Sequence, residues 1–250
     1  MLKIHIAFLF LGLCEAANAG DLKIQDGELS FEREAAALNE ATSVFLVTAE
    51  DWTKTQGKGQ VYRKIDSQFK KVGSEIPLVL GRSGMAWGIG ISDYRSLAGP
   101  AKREGDGKSP AGFFHLNQSF GVAKIGRLPF LNVSRDHVCV DDSKSRVYNR
   151  IVDRSQVSKD WDSFEEMAIP LYKYGIEVAH NFVSPEALGG SCIFIHLWRG
   201  PESSTSGCTA MDEAHLLSVL ENLDSSSLII QMPFFALKAF PVFALEPVSH

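Results

Sequence analysis

The chain has 250 residues, of which 45% are hydrophobic and 22% are charged, and its formal net charge is −5 at pH 7. This composition is ordinary for a soluble globular protein, and a weak acidic balance without a basic block gives no support for nucleic-acid binding. The length fits one large domain, or one domain with an extension.

The first 19 residues have the three-part layout of a secretory signal peptide. Lys3 supplies the positive start, residues 6–13 form an apolar run, and residues 17–19 (Ala-Asn-Ala) offer a small-x-small cleavage site. The apolar run is too short to cross a bilayer, and no later run approaches the roughly 20 apolar residues that a membrane helix needs. Cys14 would permit a lipid anchor, but the bulky Leu13 before it favours simple cleavage. We therefore expect an exported protein without a transmembrane segment after cleavage.

Four cysteines are present, and one of them lies in the signal peptide, so three remain after export. An odd number in an oxidising compartment leaves at least one thiol unpaired and therefore a candidate reactive group. One economical pairing joins Cys139 to Cys192 and leaves Cys208 free. The alternative is three unpaired and mostly buried thiols.

The first half of the mature chain predicts one helix and then a series of strands. Residues 20–42 form a helical lead-in, in which an Ala-rich stretch runs from Leu29 to Glu40. Short β-branched and aromatic runs follow, bounded by Gly, Lys, Ser or Pro, and they predict antiparallel strands and hairpins. These runs are Ser43–Thr48, Gly59–Lys64, Gln68–Val72 and Ile76–Leu80.

Glycine-rich segments interrupt these strands. Residues 81–84 (Gly-Arg-Ser-Gly) and 87–90 (Trp-Gly-Ile-Gly) predict loops where the backbone needs a positive φ or a close approach. Residues 105–110 (Gly-Asp-Gly-Lys-Ser-Pro) form a dense turn cluster before a predicted strand at Gly112–Leu116. No phosphate-binding or dinucleotide fingerprint with the required strand and helix context is present, so nucleotide binding is not expected.

The middle of the chain is polar. Residues 136–153 are poor in strand signals and predict a long ordered insertion, a kind of loop that is more often functional than idle. Ser163–Tyr174 has a helical pattern that Pro170 would end or bend. The chain then returns to strand, with runs predicted at Ile176–Ala179, Ser191–Trp198 and Leu228–Met232.

Asp212 opens the clearest helix, because its side chain can cap free amides and apolar residues follow it at helical spacing. Residues 233–250 form a tail for which no element is predicted. Many short strands with two or three helices predict a mostly β fold, α+β in part, built as a sandwich or a partly closed barrel with a helix on its side.

One pair of residues carries the chemistry. A strand ends in His196, and a Ser- and Gly-rich loop after it ends in Cys208. This order can bring a base within reach of a thiol, as nucleophilic catalysis requires, because the thiolate rather than the thiol attacks a carbonyl. Gly207 permits a tight turn, which makes the amides beside the sulfur candidate oxyanion donors. The N-terminus of the helix after Asp212 would favour a thiolate if it pointed at the sulfur.

The strand-His, loop, Thr-x-Gly-Cys pattern resembles the catalytic motif of the L,D-transpeptidase family, also called the YkuD domain family. Gly105–Pro110 with Gly112 resembles the family's turn before a core strand, and Val79–Gly81 with Trp87-Gly88 resembles its early segment. The resemblance spans about residues 43–232, which we take as the catalytic domain.

The resemblance implies a mostly β fold and a cysteine enzyme that uses no cofactor or metal. Family members attack peptidoglycan tetrapeptide stems between the third residue, usually a diamino acid, and a terminal D-alanine. They pass the acyl group to an amine or to water. By position, Cys208 is the nucleophile, His196 is the general base, and Ser206, Gly207 and Thr209 surround the oxyanion and substrate site. A place in the bacterial periplasm or cell envelope, and a role in cell-wall biogenesis and cell shape, follow from the same resemblance.

The chain departs from the family motif at two positions. Ser206 stands where the common motif has His, and Ala210 stands where it has Arg or Asn, side chains that shape the site and bind the substrate carboxylate. Arg199, three residues after His196, is our candidate for the missing positive charge. His180 is a candidate substrate-binding or orienting residue, although a purely structural use fits it equally well.

Two alternatives stay open at the level of sequence. The same site would serve a hydrolase, either an L,D-carboxypeptidase that trims stems or an amidase that releases attached protein. A catalytically silent peptidoglycan-binding module is disfavoured, because both His196 and Cys208 are present. No ligand spacing that would indicate a metal site is found around His115, His137 or His215.

Overall fold

The computed structural model of the chain describes residues 31–238 and 240. The predicted signal peptide and most of the C-terminal tail lie outside the described residues. Within them, thirteen strands, three α-helices and one 3₁₀ turn are present. The helices are α1 (Glu32–Glu40), α2 (Glu213–Asn222) and α3 (Phe234–Leu237), and the 3₁₀ turn is Pro170–Tyr172. The strands are β1 (Ser43–Ala49), β2 (Gln56–Ile65), β3 (Gln68–Val79), β4 (Met85–Trp87), β5 (Ser109–Gly121), β6 (Phe130–Asn132), β7 (His137–Val140), β8 (Arg150–Asp153), β9 (Phe164–Glu166), β10 (Tyr174–Val178), β11 (Phe194–Leu197), β12 (Thr209–Met211) and β13 (Leu228–Pro233).

The main sheet closes on itself. Its strand order is β10-β11-β12-β3-β2-β1-β13-β5, and β5 pairs back with β10. Strands β4 and β6 add to this sheet along the long strand β5. Closure removes free edges that would otherwise present unpaired backbone groups. The predicted mostly β fold with a partly closed barrel is therefore confirmed.

The β2–β3 hairpin is longer and more regular than predicted. Two separate strands were expected between residues 68 and 80. Instead, the single strand β3 covers Gln68–Val79 and includes Gly73 at a positive φ of 70°. Asp66 and Ser67 form the connecting two-residue loop, with φ values of 50° and 65°. Two consecutive positive values define a type I′ turn, whose twist matches that of paired strands.

The barrel interior is filled by large aromatic and aliphatic side chains, with Phe45, Trp87 and Phe113 fully buried. Helix α1 is part of this core, because Leu38 is buried in it and Glu34 accepts a hydrogen bond of 2.6 Å from the Tyr94 hydroxyl. The predicted lead-in helix thus packs on the barrel. Burial of apolar area of this kind is the main favourable contribution to folding.

Helix α2 begins where the sequence predicts. The Asp212 carboxylate accepts a hydrogen bond of 3.0 Å from the amide of His215, which satisfies one of the free amides at the helix start. Leu216, Val219 and Leu220 lie on the buried face, at the spacing expected for a helix that packs on one side.

The predictions for residues 136–153 and 163–174 were wrong. Instead of a strand-poor insertion and a helix, these segments contain strands β7, β8 and β9, which form a second antiparallel sheet in the order β8-β7-β9. Trp161 packs with Val138 and Val140 in a small core of this sheet. Partners distant in sequence stabilise each short strand, so its local pattern is weak. Pro170 starts the 3₁₀ turn rather than ending a helix.

A disulfide joins the sheet of β7, β8 and β9, which we call the inserted sheet, to the barrel. Cys139 on β7 is bonded to Cys192, which precedes β11, across a sequence separation of 53 residues. Both cysteines are buried in a cluster with Phe120, Tyr172 and Phe194. Cys208 is the free cysteine among the described residues. The inserted sheet is therefore held covalently against the strand that carries His196.

Removing this disulfide should lower the free energy of unfolding. A Cys139→Ala/Cys192→Ala double variant is expected to lose roughly 2–4 kcal/mol, because the bond restricts a long loop in the unfolded chain. Urea unfolding of the oxidised protein and the variant measures the difference. Wild-type protein kept reduced should behave like the variant, and equal stability of oxidised wild type and variant would contradict the expectation.

Candidate active site

The loop that ends in Cys208 is closed by the Thr205 side chain. The Thr205 hydroxyl donates to the Cys208 carbonyl at 2.6 Å and accepts from the Gly207 amide at 3.1 Å. Gly207 has a φ of 151°, in the region that favours glycine, and a Cβ there would lie 3.1 Å from the Lys108 carbonyl oxygen. The Gly207 amide is one of the predicted oxyanion donors, and in this structure it donates its hydrogen bond to Thr205 instead.

Ser109 supports the same loop from the barrel, and the sequence analysis did not single it out. Its hydroxyl donates to the Cys208 carbonyl at 3.0 Å and accepts from the Gly81 amide at 2.9 Å. The amide of Arg82 donates to the Thr205 carbonyl at 2.8 Å. The glycine-rich segments 81–84 and 105–110 therefore both contact the loop that ends in Cys208. The sequence signal that could have identified Ser109 was its position in the Gly105–Pro110 turn cluster.

His196 and Cys208 are brought to one cavity. Strands β11 and β12 are parallel neighbours with His196 opposite Ala210, and Cys208 immediately precedes β12. Both residues are 6% exposed and line a cavity of about 510 Å³, which we call the first cavity.

The sulfur of Cys208 has backbone partners in this state. It accepts from the Phe194 amide at 3.3 Å and donates to the Cys192 carbonyl at 3.5 Å. Within residues 31–238 and 240, no hydrogen bond joins it to the His196 ring. The structure therefore shows thiol and imidazole facing one cavity without direct contact.

Both groups are held neutral at pH 7. Nδ1 of His196 lies 2.8 Å from the Leu197 carbonyl oxygen, so Nδ1 carries the proton and Nε2 is the acceptor. Burial lowers the pKa of His196 to about 4. Burial also raises the pKa of the Cys208 thiol well above its usual range, and the neighbouring Glu165 carboxylate raises it further. The resting pair is a thiol and a neutral imidazole rather than an ion pair.

The N-terminus of α2 does not account for a thiolate. Strand β12 separates Cys208 from the helix, and three residues of strand span about 10 Å. Effects of a helix terminus fade beyond its first turn. The Asp212 carboxylate also places a negative charge at that terminus.

The remaining predicted residues divide into two groups. Ser206 and Arg199 line the first cavity, and the Ser206 hydroxyl accepts from the Arg82 guanidinium at 3.1 Å. Thr209 is buried and bonded to Gln231 at 2.5 Å, away from the cavity. His180 is buried too, and it lines no cavity that contains Cys208. The structure therefore groups Ser206 and Arg199 with the Cys–His pair and gives Thr209 and His180 packing positions.

His180 cross-links loops instead. Its Nδ1 accepts from the Ile89 amide at 3.3 Å, which leaves Nε2 to donate to the Gly189 carbonyl at 3.1 Å. Complete burial, together with the nearby Lys102, lowers the pKa of His180 to about 3.

Tyr172 and Glu165 are cavity residues that the sequence analysis missed, because they lie where a helix was expected. The Tyr172 ring stands edge-on to the His196 ring, with 5.1 Å between centroids, and its hydroxyl donates to Glu165 at 2.8 Å. Both line the first cavity. Burial raises the pKa of the Glu165 carboxyl.

A closed barrel with an appended sheet, and with a cysteine and a histidine at one cavity, defines a mostly β protein of YkuD-like architecture. Residues 61–231 match the family model described as the L,D-transpeptidase catalytic domain, YkuD. The chain belongs to this family. The predicted family membership is thereby confirmed.

Two solved structures are similar to this chain, and both are of the helical cell shape determining protein Pgp2 from Campylobacter jejuni. A point variant is 16% identical, with 77% of this chain and 47% of that chain covered and a TM-score of 0.40. The unmodified protein is 14% identical, with coverages of 82% and 55% and a TM-score of 0.39. The chain thus spans about half the length of these structures. No curated protein matches it.

Among the described residues, no helix combines the length and apolar character that a membrane span requires. The same part of the chain contains no group of three or more His, Cys, Asp or Glu side chains arranged to hold a metal ion.

Alkylation should report the protonation state of Cys208. Iodoacetamide is expected to modify it slowly at neutral pH and faster as the pH rises past about 9, because only the thiolate reacts and the thiol pKa is raised. Intact-mass measurement across this pH range follows the reaction, with urea-unfolded protein as the reference for an exposed thiol. A rate that reaches its plateau near neutral pH would instead indicate a thiolate paired with imidazolium.

Acid should destabilise the fold through its buried histidines. The folded pKa values of about 3 and about 4 for His180 and His196 lie below the unfolded value near 6.5. The unfolded chain therefore binds more protons below that pH, so stability present above about 6.5 is lost as the pH falls toward the folded values. Each histidine contributes up to about 1.4 kcal/mol per pH unit.

A His180→Asn variant tests this linkage. Whatever its stability at pH 7, its free energy of unfolding should decline less steeply between about pH 6 and about pH 4, by about 1.4 kcal/mol per pH unit. Urea unfolding at several pH values measures the slope. His115 is exposed on β5, so His115→Gln should keep the wild-type slope. An unchanged slope in His180→Asn would show that the buried ring is not the origin of the acid sensitivity.

Proposed function

We propose that this protein is a cysteine-dependent L,D-transpeptidase that acts on peptidoglycan stem peptides in the bacterial periplasm or cell envelope. The observation that carries the proposal is the shared cavity of Cys208 and His196, in a barrel that belongs to the L,D-transpeptidase family. Nucleophilic acyl transfer needs a thiol beside an acceptor nitrogen, and the protonation state of His196 leaves Nε2 as that acceptor.

The reaction begins from the neutral pair. The thiol leaves its contact with the Cys192 carbonyl and gives its proton to Nε2 of His196 as sulfur attacks the carbonyl of the donor stem. Collapse of the tetrahedral intermediate breaks the carbon–nitrogen bond, and the imidazolium returns the proton to the leaving D-alanine amine. An amine of a second stem then attacks the thioester, and its proton passes through His196 back to the sulfur.

The neutral starting state suits a buried site. A charged thiolate–imidazolium pair in this apolar surrounding would carry a desolvation cost before any substrate arrived. A substrate that fills the first cavity displaces water and provides dipoles for the charges that develop. The thiol is then activated mainly when a peptide is bound, which limits side reactions of the free enzyme.

The rim of the first cavity fits an anionic substrate end. Arg82 and Arg199 are both exposed there, and neither forms an ion pair with a described residue. A guanidinium is well matched to a carboxylate, with which it forms paired hydrogen bonds. We assign to these arginines the terminal carboxylate of the donor stem, the role that Ala210 cannot fill.

Incubation with purified tetrapeptide stems, followed by mass spectrometry, tests the proposal. We expect cross-linked stem dimers and a transient acyl adduct on Cys208. Cys208→Ala should abolish both, and His196→Gln should lower turnover by about 10²- to 10⁴-fold, the usual contribution of a general base. His115→Gln serves as the control for histidine replacement, and thermal unfolding checks that each variant is folded.

The products also separate the alternatives. Shortened stems without dimers would indicate an L,D-carboxypeptidase, and release of protein from stems would indicate an amidase, so either result would replace the transferase assignment. Unchanged stems and no adduct would point to a silent peptidoglycan-binding module. Full turnover by Cys208→Ala would refute the nucleophile assignment.

A further inference from the structure

A groove of about 720 Å³ on the outside of the barrel adjoins the first cavity, and we call it the outer groove. Its floor is formed by β1, β2 and β3, on which Thr48, Lys58 and Pro77 lie opposite one another in register. Trp198 lines both the outer groove and the first cavity, so the two spaces meet at this side chain. One continuous ligand can therefore occupy the groove and also reach Cys208.

An aromatic side chain stands on each side of this floor. Trp198 follows β11, and its amide donates to the Met211 carbonyl at the end of β12, whereas Phe234 directly follows β13. Because the sheet order is β12-β3-β2-β1-β13, the two aromatic residues lie on opposite sides of the three floor strands. Two strand spacings make the floor about 10 Å wide, which leaves room for linked sugar rings. Phe234 is 47% exposed, and the apolar face of a ligand would remove part of that ring from water.

The charged side chains of the outer groove are already paired with one another. They are Glu50, Lys54, Lys58, Glu75 and Glu202. The ammonium of Lys54 lies 3.0 Å from Glu50, and that of Lys58 lies 2.8 Å from Glu75. The remaining carboxylate, that of Glu202, accepts from the Gln56 amide at 3.0 Å. Among the described residues that line the groove, no cation is therefore left for an anionic ligand.

This combination of paired charges and flanking aromatic rings suits an uncharged carbohydrate. A sugar hydroxyl both donates and accepts, so it can bond the ammonium and the carboxylate of the same ion pair. The C–H face of a sugar ring packs on an aromatic ring through dispersion and the burial of apolar area. The charged end of a stem peptide is better matched to Arg82 and Arg199 at the rim of the first cavity.

We propose that the outer groove binds the uncharged, N-acetylated glycan strand to which the donor stem is attached. This inference rests on the function proposed above, and it adds a site for the sugar part of the substrate. Trp198 and Phe234 would each pack against a sugar ring. The stem would leave the groove beside Trp198 and extend through the first cavity to the sulfur, so the glycan would help to position the peptide.

Calorimetric titration with the neutral tetramer of N-acetylglucosamine tests the groove without any acyl transfer. We expect the wild type to bind this tetramer, and Phe234→Ala to bind it about 10-fold more weakly, because the variant loses the apolar contact of one ring. Ile65 is 41% exposed at the far end of β2 and does not line the groove, so Ile65→Ala should keep the wild-type affinity. The tetramer of galacturonic acid, which is anionic, should bind at least about 10-fold more weakly than the neutral tetramer.

A second comparison uses two donors that differ only in their sugars, a tetrapeptide stem with and without its N-acetylated disaccharide. We expect kcat/KM for acylation of wild-type Cys208 to be about 10-fold higher with the disaccharide, and the ratio to fall toward one in Phe234→Ala. Intact mass spectrometry after rapid quench measures both rates.

The outcomes separate the groove from the chemistry. No binding of the neutral tetramer to the wild type, or equal binding of the anionic one, would overturn the glycan site. Equal affinity of wild type and Phe234→Ala would overturn its location, and a donor ratio near one would overturn its link to the stem. Failure of both donors to acylate Cys208, with the neutral tetramer still bound, would overturn the proposed function and leave the glycan site in place. The comparison of the two tetramers on the wild type decides the class of ligand even if a variant does not fold.

Discussion

The arrangement around the cysteine depends on one backbone group, the carbonyl of Cys208. It accepts hydrogen bonds from two hydroxyls, of Thr205 within the loop and of Ser109 from β5. A buried carbonyl must be paired, so loss of one hydroxyl would cost about 0.5–1.5 kcal/mol, and loss of both, which leaves the carbonyl unsatisfied, about 1–3 kcal/mol. This one group therefore joins the start of β5, the Gly81 turn and the cysteine loop. The sulfur can face a cavity because its own backbone is fixed on the opposite side.

The same burial determines the chemistry that the site can perform. His196 and Cys208 lie in surroundings that penalise charge, so each pKa moves toward the neutral form. Enzymes that hold a cysteine as thiolate usually surround it with positive charge. Here the inserted sheet instead contributes a carboxylate, that of Glu165, which raises the pKa of the Cys208 thiol further. A resting thiol is the expected result, and under the proposed function its ionisation would be coupled to the arrival of substrate.

The sequence predicted the barrel better than the inserted sheet, for a physical reason. Strands such as β1 and β13 are buried, β-branched runs, and their own composition identifies them. Strands β7 to β9 are short, half-polar and stabilised by each other and by the disulfide, so no local window carries their signal. The wrong helix at 163–174 followed directly from this difference.

Individual site residues show a similar division. The order of His196 and Cys208 in the sequence indicated a common site, and the structure brings both to one cavity by pairing the short strands β11 and β12, with Ile195 opposite Thr209. The order of residues in the sequence does not predict in which direction the side chains of Thr209 and His180 point. Alternation turns Thr209 to the barrel interior, and His180 faces the Ile89 and Gly189 backbone.

Two residues that line the cavity, Tyr172 and Glu165, were identified only from the structure. Tyr172 and Glu165 reach the cavity because Pro170 starts a 3₁₀ turn between β9 and β10 rather than a longer helix. That turn places the Tyr172 ring against His196 and its hydroxyl on Glu165. The inserted sheet is therefore connected to the His196 ring through Tyr172. A barrel of the family carries Cys208 and His196, and the inserted sheet, held by its disulfide, places the Glu165 carboxylate in the cavity that these two residues share.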